Sequence, residues 1–197
     1  MTGRRHPRFG LLLAPGAGAD RDQPALVAVD GAATSLGGQV ERMDFPYRKA
    51  GRRAPDREPV LLAAVREEAA ALAVRAGLAP DRLVLGGRSM GGRMCSMAVA
   101  DGLPALGLAL ISYPLHPPGR PDRARTGHLP RLTVPCLFVS GTRDAFGSPA
   151  ELEAATAEIP GPVTVRFIDG GDHGLRRADE RVAVIVAGWL EELVGSA

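Results

Sequence analysis

The sequence has few of the features that mark secreted or membrane-spanning proteins. Its two cysteines, Cys95 and Cys136, lie in apolar segments without CxxC spacing, so we interpret them as small core residues rather than a disulfide or metal ligands. No apolar run approaches the ~20 residues of a membrane span. The run Phe9–Ala14 is too short for a signal peptide, and Pro15-Gly16 ends it. We therefore expect a cytoplasmic protein without a membrane partner.

Lysine and aromatic residues are also scarce. Of the 24 basic residues all but Lys49 are arginine, and aromatic residues make up 4% of the chain. The arginines are interleaved with 22 acidic residues. Proteins that bind single-stranded nucleic acids combine basic grooves with stacked aromatic residues, a pattern that this chain lacks. We therefore predict no nucleic-acid partner and expect most arginines on the solvated surface.

The order of apolar runs indicates the fold class. A chain of 197 residues, 45% of them apolar, can bury a full core, so we predict a single domain over residues 1–197. Short apolar runs alternate with helical patterns, which is typical of an α/β fold with a mostly parallel sheet. The predicted strands are Phe9–Ala14, Val40–Phe45, Leu83–Gly86, Leu106–Ser112, Cys136–Ser140 and Val163–Ile168. The predicted helices are Pro24–Leu36, Pro59–Ala76, Gly91–Ala100, Pro149–Glu158 and Asp179–Val194.

Two long loops separate these elements, Pro46–Glu58 and Pro114–Arg131. Loops of this length inside one domain are usually functional or mobile. Both follow the carboxyl end of a predicted strand, the edge at which open α/β sheets bind ligands. We therefore predict that they form the walls of an open pocket.

The segment Gly87-Arg88-Ser89-Met90-Gly91 fits the pattern G-x-S-x-G. A predicted strand runs into it and a predicted helix runs out, which is the context of a nucleophile elbow. Glycines are required there because side chains would clash in a sharp strand-to-helix turn. We predict that Ser89 is a nucleophile at a helix N-terminus; a glycine-rich turn with a capping serine is the alternative.

A serine hydroxyl needs a base to take its proton. His6 lies near the N-terminus, and His116 and His128 lie in the proline-rich loop. His173 follows the last predicted strand and precedes the last helix, on a turn at the carboxyl edge of the sheet. We predict that His173 is the base for Ser89.

The imidazole in turn needs a carboxylate that fixes its tautomer. Asp144 follows the fifth predicted strand, which gives the chain order Ser, Asp, His that hydrolases with this elbow use. Asp169 and Asp172 are rivals because they lie close to His173 in sequence. We predict Asp144 as the third member.

An oxyanion hole needs two backbone N–H donors. Met90, directly after the nucleophile, is predicted to supply one. The glycine-containing loop after the first strand should supply the other, from Ala17 or, as the second choice, from Gly16.

The same loop has a rival interpretation as a dinucleotide site. Gly16-x-Gly18 follows the first strand, and Asp44 at the end of the second could imitate a ribose-binding acid. The third glycine of the fingerprint is missing, because Arg21 holds its place. No phosphate-binding P-loop or metal-ligand spacing is present, so we predict neither cofactor nor metal.

Apolar and aromatic residues near the strand ends are candidates for the pocket. We predict substrate contacts from Tyr47, Tyr113, Leu115 and Phe146, with Phe45 and Leu175 as further wall candidates. Arg48 is a candidate for binding an acidic group of the substrate, and a solvated arginine is the alternative.

The chain contains the motifs 15-PGAG-18, 86-GGRSMG-91, 112-SYPLH-116, 138-FVSGTRD-144 and Asp172-His173. These motifs resemble the α/β-hydrolase superfamily, and within it a small dienelactone-hydrolase-like branch. Within that branch they resemble most the family of a vertebrate testis-expressed hydrolase-like protein and of the hydrolase-like domain of a histone acetyltransferase complex subunit. The resemblance spans Leu11 to Leu190 and implies a six-stranded sheet of order 2-1-3-4-5-6 without an inserted lid. Pro15 stands where many relatives have histidine, and Ser89 stands where dienelactone hydrolases have cysteine.

The sequence thus predicts a serine hydrolase of the carboxylesterase type that acts on small acyl esters or lactones through an acyl-enzyme. A thioesterase or acyltransferase is an alternative of the same chemistry. A non-catalytic binding or scaffold protein that keeps the fold is an alternative of another class. The expected partner is a small-molecule ester, and the chain is expected to be a monomer or homodimer.

Overall fold

Six parallel strands form one sheet in the computed structural model, which describes residues 7–195. The strand order β2-β1-β3-β4-β5-β6 confirms the predicted order, and every neighbouring pair is parallel. The strands are β1 Gly10–Ala14, β2 Gln39–Arg42, β3 Leu83–Arg88, β4 Gly107–Ile111, β5 Cys136–Gly141 and β6 Val163–Ile168. The helices are α1 Pro24–Ser35, α2 Pro46–Lys49, α3 Glu58–Ala76, α4 Met90–Ala100, α5 Pro149–Thr156 and α6 Asp179–Gly195.

The central strands are buried on both faces because helices cover each side of the sheet. Successive strand side chains point to opposite faces. Leu11 and Leu13 of β1 therefore pack in the core that α1 and α6 share, while Leu12 packs in the core beneath α3 and α4. A strand that is buried on both faces needs apolar residues at successive positions. These strands therefore appear in the sequence as continuous apolar runs and not as alternating apolar and polar residues. Helices on both faces were predicted and are confirmed.

Both cysteines lie in this core as free thiols, as predicted. Cys95 on α4 and Cys136 at the start of β5 are fully buried. Burial in apolar surroundings raises the pKa of each thiol to about 12. Both therefore stay uncharged and serve as small packing residues.

The helix ends follow local signals in the sequence. Pro59 lies in the first turn of α3, and Gly77 ends that helix with a left-handed φ of 65°. Ser148 caps α5 through a capping box with Glu151. None of the helices between residues 7 and 195 is long and apolar enough to cross a membrane.

Two predicted segments differ from the structure near the second strand. Strand β2 ends at Arg42, opposite Leu13 of β1, three residues earlier than predicted, because β1 itself ends at Ala14. The predicted loop Pro46–Glu58 begins with helix α2, which the fixed backbone angle of Pro46 favours. The loop is therefore more ordered than its composition indicated.

No lid covers the carboxyl edge of the sheet among the described residues, in agreement with the prediction. The ends of β1, β3, β5 and β6 lie at this edge because all strands are parallel. Residues that follow these four strands in sequence therefore meet in space. This edge is where the predicted functional residues come together.

Close packing at the start of α4 generates a stability prediction. A Cβ at Gly91 would lie 2.1 Å from the Ala14 carbonyl oxygen, so Gly91→Ala should destabilise the protein by roughly 2–3 kcal/mol. Gly31 lies inside α1 with no atom within 4 Å of an added Cβ. Gly31→Ala, the matched control, should stabilise by roughly 0.4–1 kcal/mol. Urea unfolding of both variants measures the sign of the change in the free energy of unfolding. Equal changes in the two variants would contradict the packing argument.

Candidate active site

Ser89 lies in a strained turn between β3 and α4. Its φ of 50° and ψ of −117° are unusual for a residue with a side chain and cost roughly 1–3 kcal/mol. The turn is held because the Ser89 N–H donates to the Ile111 carbonyl at 2.8 Å. Gly87, with φ of 145°, permits the turn, since a Cβ there would lie 2.0 Å from the Ala14 oxygen. This is the geometry predicted for a nucleophile elbow.

The three residues predicted as a triad form one chain of hydrogen bonds. Ser89 Oγ lies 2.8 Å from His173 Nε2. His173 Nδ1 lies 2.8 Å from Asp144 Oδ2 and 3.0 Å from Oδ1. Because an ionised carboxylate only accepts, Nδ1 carries the proton and Nε2 is left to accept the proton of the serine. The arrangement can therefore withdraw a proton from Ser89.

Asp144 is better placed than its rivals to hold the histidine. Its side chain is 1% exposed, and Oδ1 also accepts a hydrogen bond from the Phe146 N–H at 2.8 Å. Asp169 instead accepts from the Thr142 hydroxyl at 3.2 Å. Among the described residues, Asp172 makes no side-chain hydrogen bond to the neighbouring imidazole. The carboxylate beside His173 in space is therefore the one 29 residues before it in sequence.

The other histidines have different partners. His116 Nδ1 donates to the Pro117 carbonyl at 2.9 Å, and His128 Nε2 lies 2.8 Å from the Ser96 hydroxyl. Both are buried away from Ser89. His6 lies outside the described residues. Among residues 7–195, the structure brings His173 alone of the candidate bases to the elbow.

Arg88, for which the sequence predicted no role, holds the His173 segment in place. Arg88, directly before the serine, donates through Nη2 to the His173 carbonyl. Burial lowers the pKa of this guanidinium, while Asp144 opposes that shift by favouring its charge. Leu175, in the turn that follows, is buried and has a positive φ of 46°. The position of Arg88 inside the elbow motif was the signal that could have found it.

Phe146 contacts the histidine ring directly. The two ring centroids lie 3.9 Å apart and the planes are inclined by 26°. This stacking limits rotation of the imidazole and shields it from water on one side. Phe146, predicted to contact substrate, therefore lies at the cavity and supports His173.

The first loop presents a backbone donor beside the elbow. The N–H groups of Ala17 and Met90 have no hydrogen-bond partner among residues 7–195, and both residues line the same cavity as Ser89. The Gly16 N–H, the second choice, donates to Gln23 Oε1 at 3.0 Å. Geometry thus favours Ala17 over Gly16 as a donor to a substrate oxygen.

The cavity at this site has a volume of about 500 Å³. Pro55 and Asp56 from the first long loop and Pro114 and Arg125 from the second contribute to its wall, as the loop positions predicted. Its floor is apolar, with Leu61 and Met94. Ser89 and His173 both line this cavity, so the hydrogen-bonded pair is accessible from it.

Several predicted pocket residues lie in the core instead of the cavity, and these predictions are corrected. Tyr47 and Phe45 are fully buried, and Tyr113, Leu115 and Leu175 are less than 5% exposed. None of them lines the cavity. They pack because they follow strands whose inward residues continue the core, and apolar character alone does not separate the two environments.

The charges around the site are mostly paired within the chain. Arg48 Nη2 lies 3.1 Å from Asp20 Oδ2, so its predicted role toward an acidic substrate is replaced by an internal ion pair. Arg93 pairs with Glu58 at 2.8 Å. Arg125 lines the cavity with no acidic partner among the described residues. Arg88, whose guanidinium bonds the His173 carbonyl, also lines the cavity without a salt bridge to any residue between 7 and 195. Two arginines other than Arg48 therefore carry charge at the site without an acidic partner in the described part of the chain.

The residues of the rival dinucleotide interpretation are engaged in the structure. Asp44 Oδ1 accepts a hydrogen bond from the Arg21 N–H at 2.8 Å, which closes the first loop against the end of β2. The Gly18 N–H donates to the Tyr47 hydroxyl at 3.1 Å. These contacts tie the loop to the protein in the place where a dinucleotide phosphate would need its N–H groups.

Comparison with known proteins gives one family and a common fold. The family model of the alpha/beta hydrolase domain matches residues 7–184. An alpha-beta serine hydrolase homologue from Coxiella burnetii is 15% identical with a TM-score of 0.79, over 95% of this chain and 88% of that one. Dienelactone hydrolase from Anabaena variabilis is 18% identical with a TM-score of 0.76, over 94% and 87%.

A third similar structure is Est1E from Butyrivibrio proteoclasticus with ferulic acid bound. It is 14% identical with a TM-score of 0.81, over 98% of this chain and 92% of that one. At identities of 14–18%, the similarity to these structures shows the fold alone. The narrower resemblance to the family of the testis-expressed protein stays a prediction.

Burial of His128 generates a prediction for stability against pH. Desolvation lowers its pKa to about 4 from an ordinary 6.5, and nearby Arg93 and Arg131 add to the shift. The folded state therefore prefers the neutral imidazole. The contribution of His128 to the free energy of unfolding is therefore fully present above pH 6.5. It falls as the pH drops toward 4, by up to about 1.4 kcal/mol per pH unit.

The measurement is urea unfolding between pH 7.5 and 4.5. His128→Gln should reduce the slope, since it removes the titrating group, whereas His116→Gln should keep the slope because it leaves His128 in place. An unchanged slope in His128→Gln would show that other groups cause the loss of stability in acid.

Proposed function

The chain belongs to the alpha/beta hydrolase family, and from that membership we propose that it is a serine hydrolase of small acyl esters or lactones. The observation that carries the proposal is the continuous hydrogen-bonded chain Ser89–His173–Asp144 at an elbow beside a cavity. A serine with this base and this acid is activated for attack on a carbonyl carbon.

In the first half of the proposed reaction, Ser89 Oγ attacks the ester carbonyl and His173 Nε2 takes its proton. The carbonyl oxygen becomes an oxyanion that accepts hydrogen bonds from the N–H groups of Met90 and Ala17. Asp144 stays ionised and stabilises the imidazolium. Collapse of the tetrahedral intermediate breaks the bond to the alcohol, which leaves with the proton from His173, and an acyl-serine remains.

In the second half, water replaces the alcohol. His173 takes a proton from the water as its oxygen attacks the acyl carbon, and the same two N–H groups receive the second oxyanion. Breaking the bond to Ser89 Oγ returns the proton to the serine and releases a carboxylic acid. The same donors therefore act in both steps, and no cofactor is required.

The cavity and the similar proteins support a small ester as substrate. A volume of about 500 Å³ holds a short acyl chain or one aromatic ring. The Est1E structure contains ferulic acid, a carboxylic acid with one aromatic ring, which is the class of product that this reaction releases. The position of helix α4, with its N-terminus at Ser89, adds a favourable dipole for the developing negative charge.

The proposal predicts a burst of 4-nitrophenol when the protein is mixed with 4-nitrophenyl butyrate. The burst should match the protein concentration and should be absent in Ser89→Ala. Asp144→Asn should lower kcat by roughly 10³–10⁴-fold, since the histidine then loses its correct tautomer. Stopped-flow absorbance measures the burst and steady-state assays measure kcat.

A fluorophosphonate probe separates the competing classes. Covalent labelling of Ser89 in the folded protein supports a hydrolase, and matched oxygen and thiol esters then distinguish esterase from thioesterase. If wild type neither hydrolyses esters faster than Ser89→Ala nor reacts with the probe, the fold serves as a binding scaffold and the proposal is wrong.

A further inference from the structure

Three successive N–H groups in the loop after β1 have different partners. The Gly16 N–H donates to Gln23 Oε1 at 3.0 Å, and the Gly18 N–H donates to the Tyr47 hydroxyl at 3.1 Å. The Ala17 N–H between them has no partner among residues 7–195. The loop is therefore fixed by side chains on both sides of the unpartnered Ala17 N–H, and Ala17 lines the cavity.

These contacts fix the peptide plane that carries the Ala17 N–H. That plane also contains the Gly16 carbonyl, which accepts a hydrogen bond from the Ala19 N–H at 3.1 Å. The planes before and after it are held by Gln23 and Tyr47. Without these bonds a loop with two glycines could rotate its peptide planes at little cost, because glycine lacks the steric limits of other residues. Gly18 itself has a φ of 75°.

Tyr47 is a rigid support for this loop. Its side chain is fully buried, and its ring stacks on Phe45 with centroids 6.3 Å apart. Burial raises the pKa of the phenol, so the hydroxyl stays protonated and neutral. Its neighbour Arg48 binds Asp20 at the far end of the loop. Two consecutive residues of α2 therefore hold the loop at two points.

Gln23 supports the loop from the opposite side. It directly precedes Pro24, the first residue of α1, so its backbone is anchored at the start of a 12-residue helix. Its half-buried side chain lies in contact range of Gly16. A glutamine at this position gives no helix-cap hydrogen bond, which leaves its amide for the loop.

We propose that Tyr47 and Gln23 are positioning residues that aim the Ala17 N–H at the substrate oxygen. The inference rests on the proposed function and adds residues that touch neither substrate nor Ser89. Preorganised donors stabilise a transition state because they need no reorganisation when charge develops. Loss of the Tyr47 hydroxyl therefore affects the rate of the chemical step more than the binding of substrate.

The test is Tyr47→Phe, which removes one oxygen atom and keeps the ring in the core. We expect kcat for 4-nitrophenyl butyrate to fall about tenfold with KM within about twofold, since the oxyanion contact is made in the transition state. The rate of Ser89 labelling by a fluorophosphonate should fall by a similar factor. Gln23→Met, which keeps length and loses the acceptor, should act in the same direction.

The matched control is Tyr113→Phe. Tyr113 is the other buried tyrosine and does not line the cavity, and its hydroxyl donates to the Arg125 carbonyl at 2.8 Å. Tyr47→Phe loses the hydrogen bond from the Gly18 N–H, whereas Tyr113→Phe loses the bond to Arg125 and a longer one, 3.4 Å, to His128 Nε2. The control should therefore lose at least as much stability. Tyr113→Phe should leave kcat within about twofold of wild type. An equal fall of kcat in both variants would assign Tyr47 a structural role and overturn the inference.

A double-mutant cycle tests whether Tyr47 acts through Ala17. Ala17→Pro removes the N–H, so adding Tyr47→Phe to it should lower kcat by less than twofold further. A full additional tenfold loss would overturn the inference. If wild type hydrolyses the ester and Tyr47→Phe matches it, the inference fails while the proposed function stands. If wild type is no faster than Ser89→Ala, both fail.

Discussion

The rest of the site depends on the close contact between the end of β1 and the nucleophile turn. The Ala14 carbonyl lies where a Cβ at either Gly87 or Gly91 would come, at 2.0 and 2.1 Å. Because no side chain fits at either position, the turn can pack directly against the backbone of β1. This contact sets the Ser89 backbone in its strained conformation and brings the first loop beside Met90. Ser89 and the N–H groups of Met90 and Ala17 are therefore positioned by one packing constraint.

The parallel sheet extends that constraint to the other residues of the site. Strands β5 and β6 end at the same edge as β3, so the segments carrying Asp144 and His173 pack against the elbow. A Cβ at Gly141, the last residue of β5, would lie 2.1 Å from the Gly171 carbonyl oxygen. The segments that carry Asp144 and His173 are thus joined by a second glycine contact, of the same kind as the first. Close approach of backbone segments at glycines therefore fixes the relative positions of the residues in the site.

Much of this could be predicted from the sequence, because apolar runs and glycine positions report directly on buried strands and tight turns. The strands and the hydrogen-bonded Ser89, His173 and Asp144 follow from those signals, and the strand order follows from the resemblance. The role of Tyr47 could not be predicted, since its hydroxyl meets a backbone N–H 29 residues earlier in the chain. A buried aromatic residue and one that faces the cavity have the same pattern of neighbouring residues in the sequence. Only packing in three dimensions separates Phe146, on the cavity wall, from Tyr47 and Tyr113 in the core.

The separation of the site along the chain has a consequence for biosynthesis. Ser89 and His173 lie 84 positions apart, and the segment that holds His173 follows β6, an edge strand that pairs only with β5. Such long-range contacts form late, because they must wait for the intervening strands to close the sheet. A chain emerging from the ribosome therefore contains Ser89 before its contact with His173 can form. That hydrogen bond, and the reactivity proposed for Ser89, must wait until the residues through His173 have been synthesised and folded.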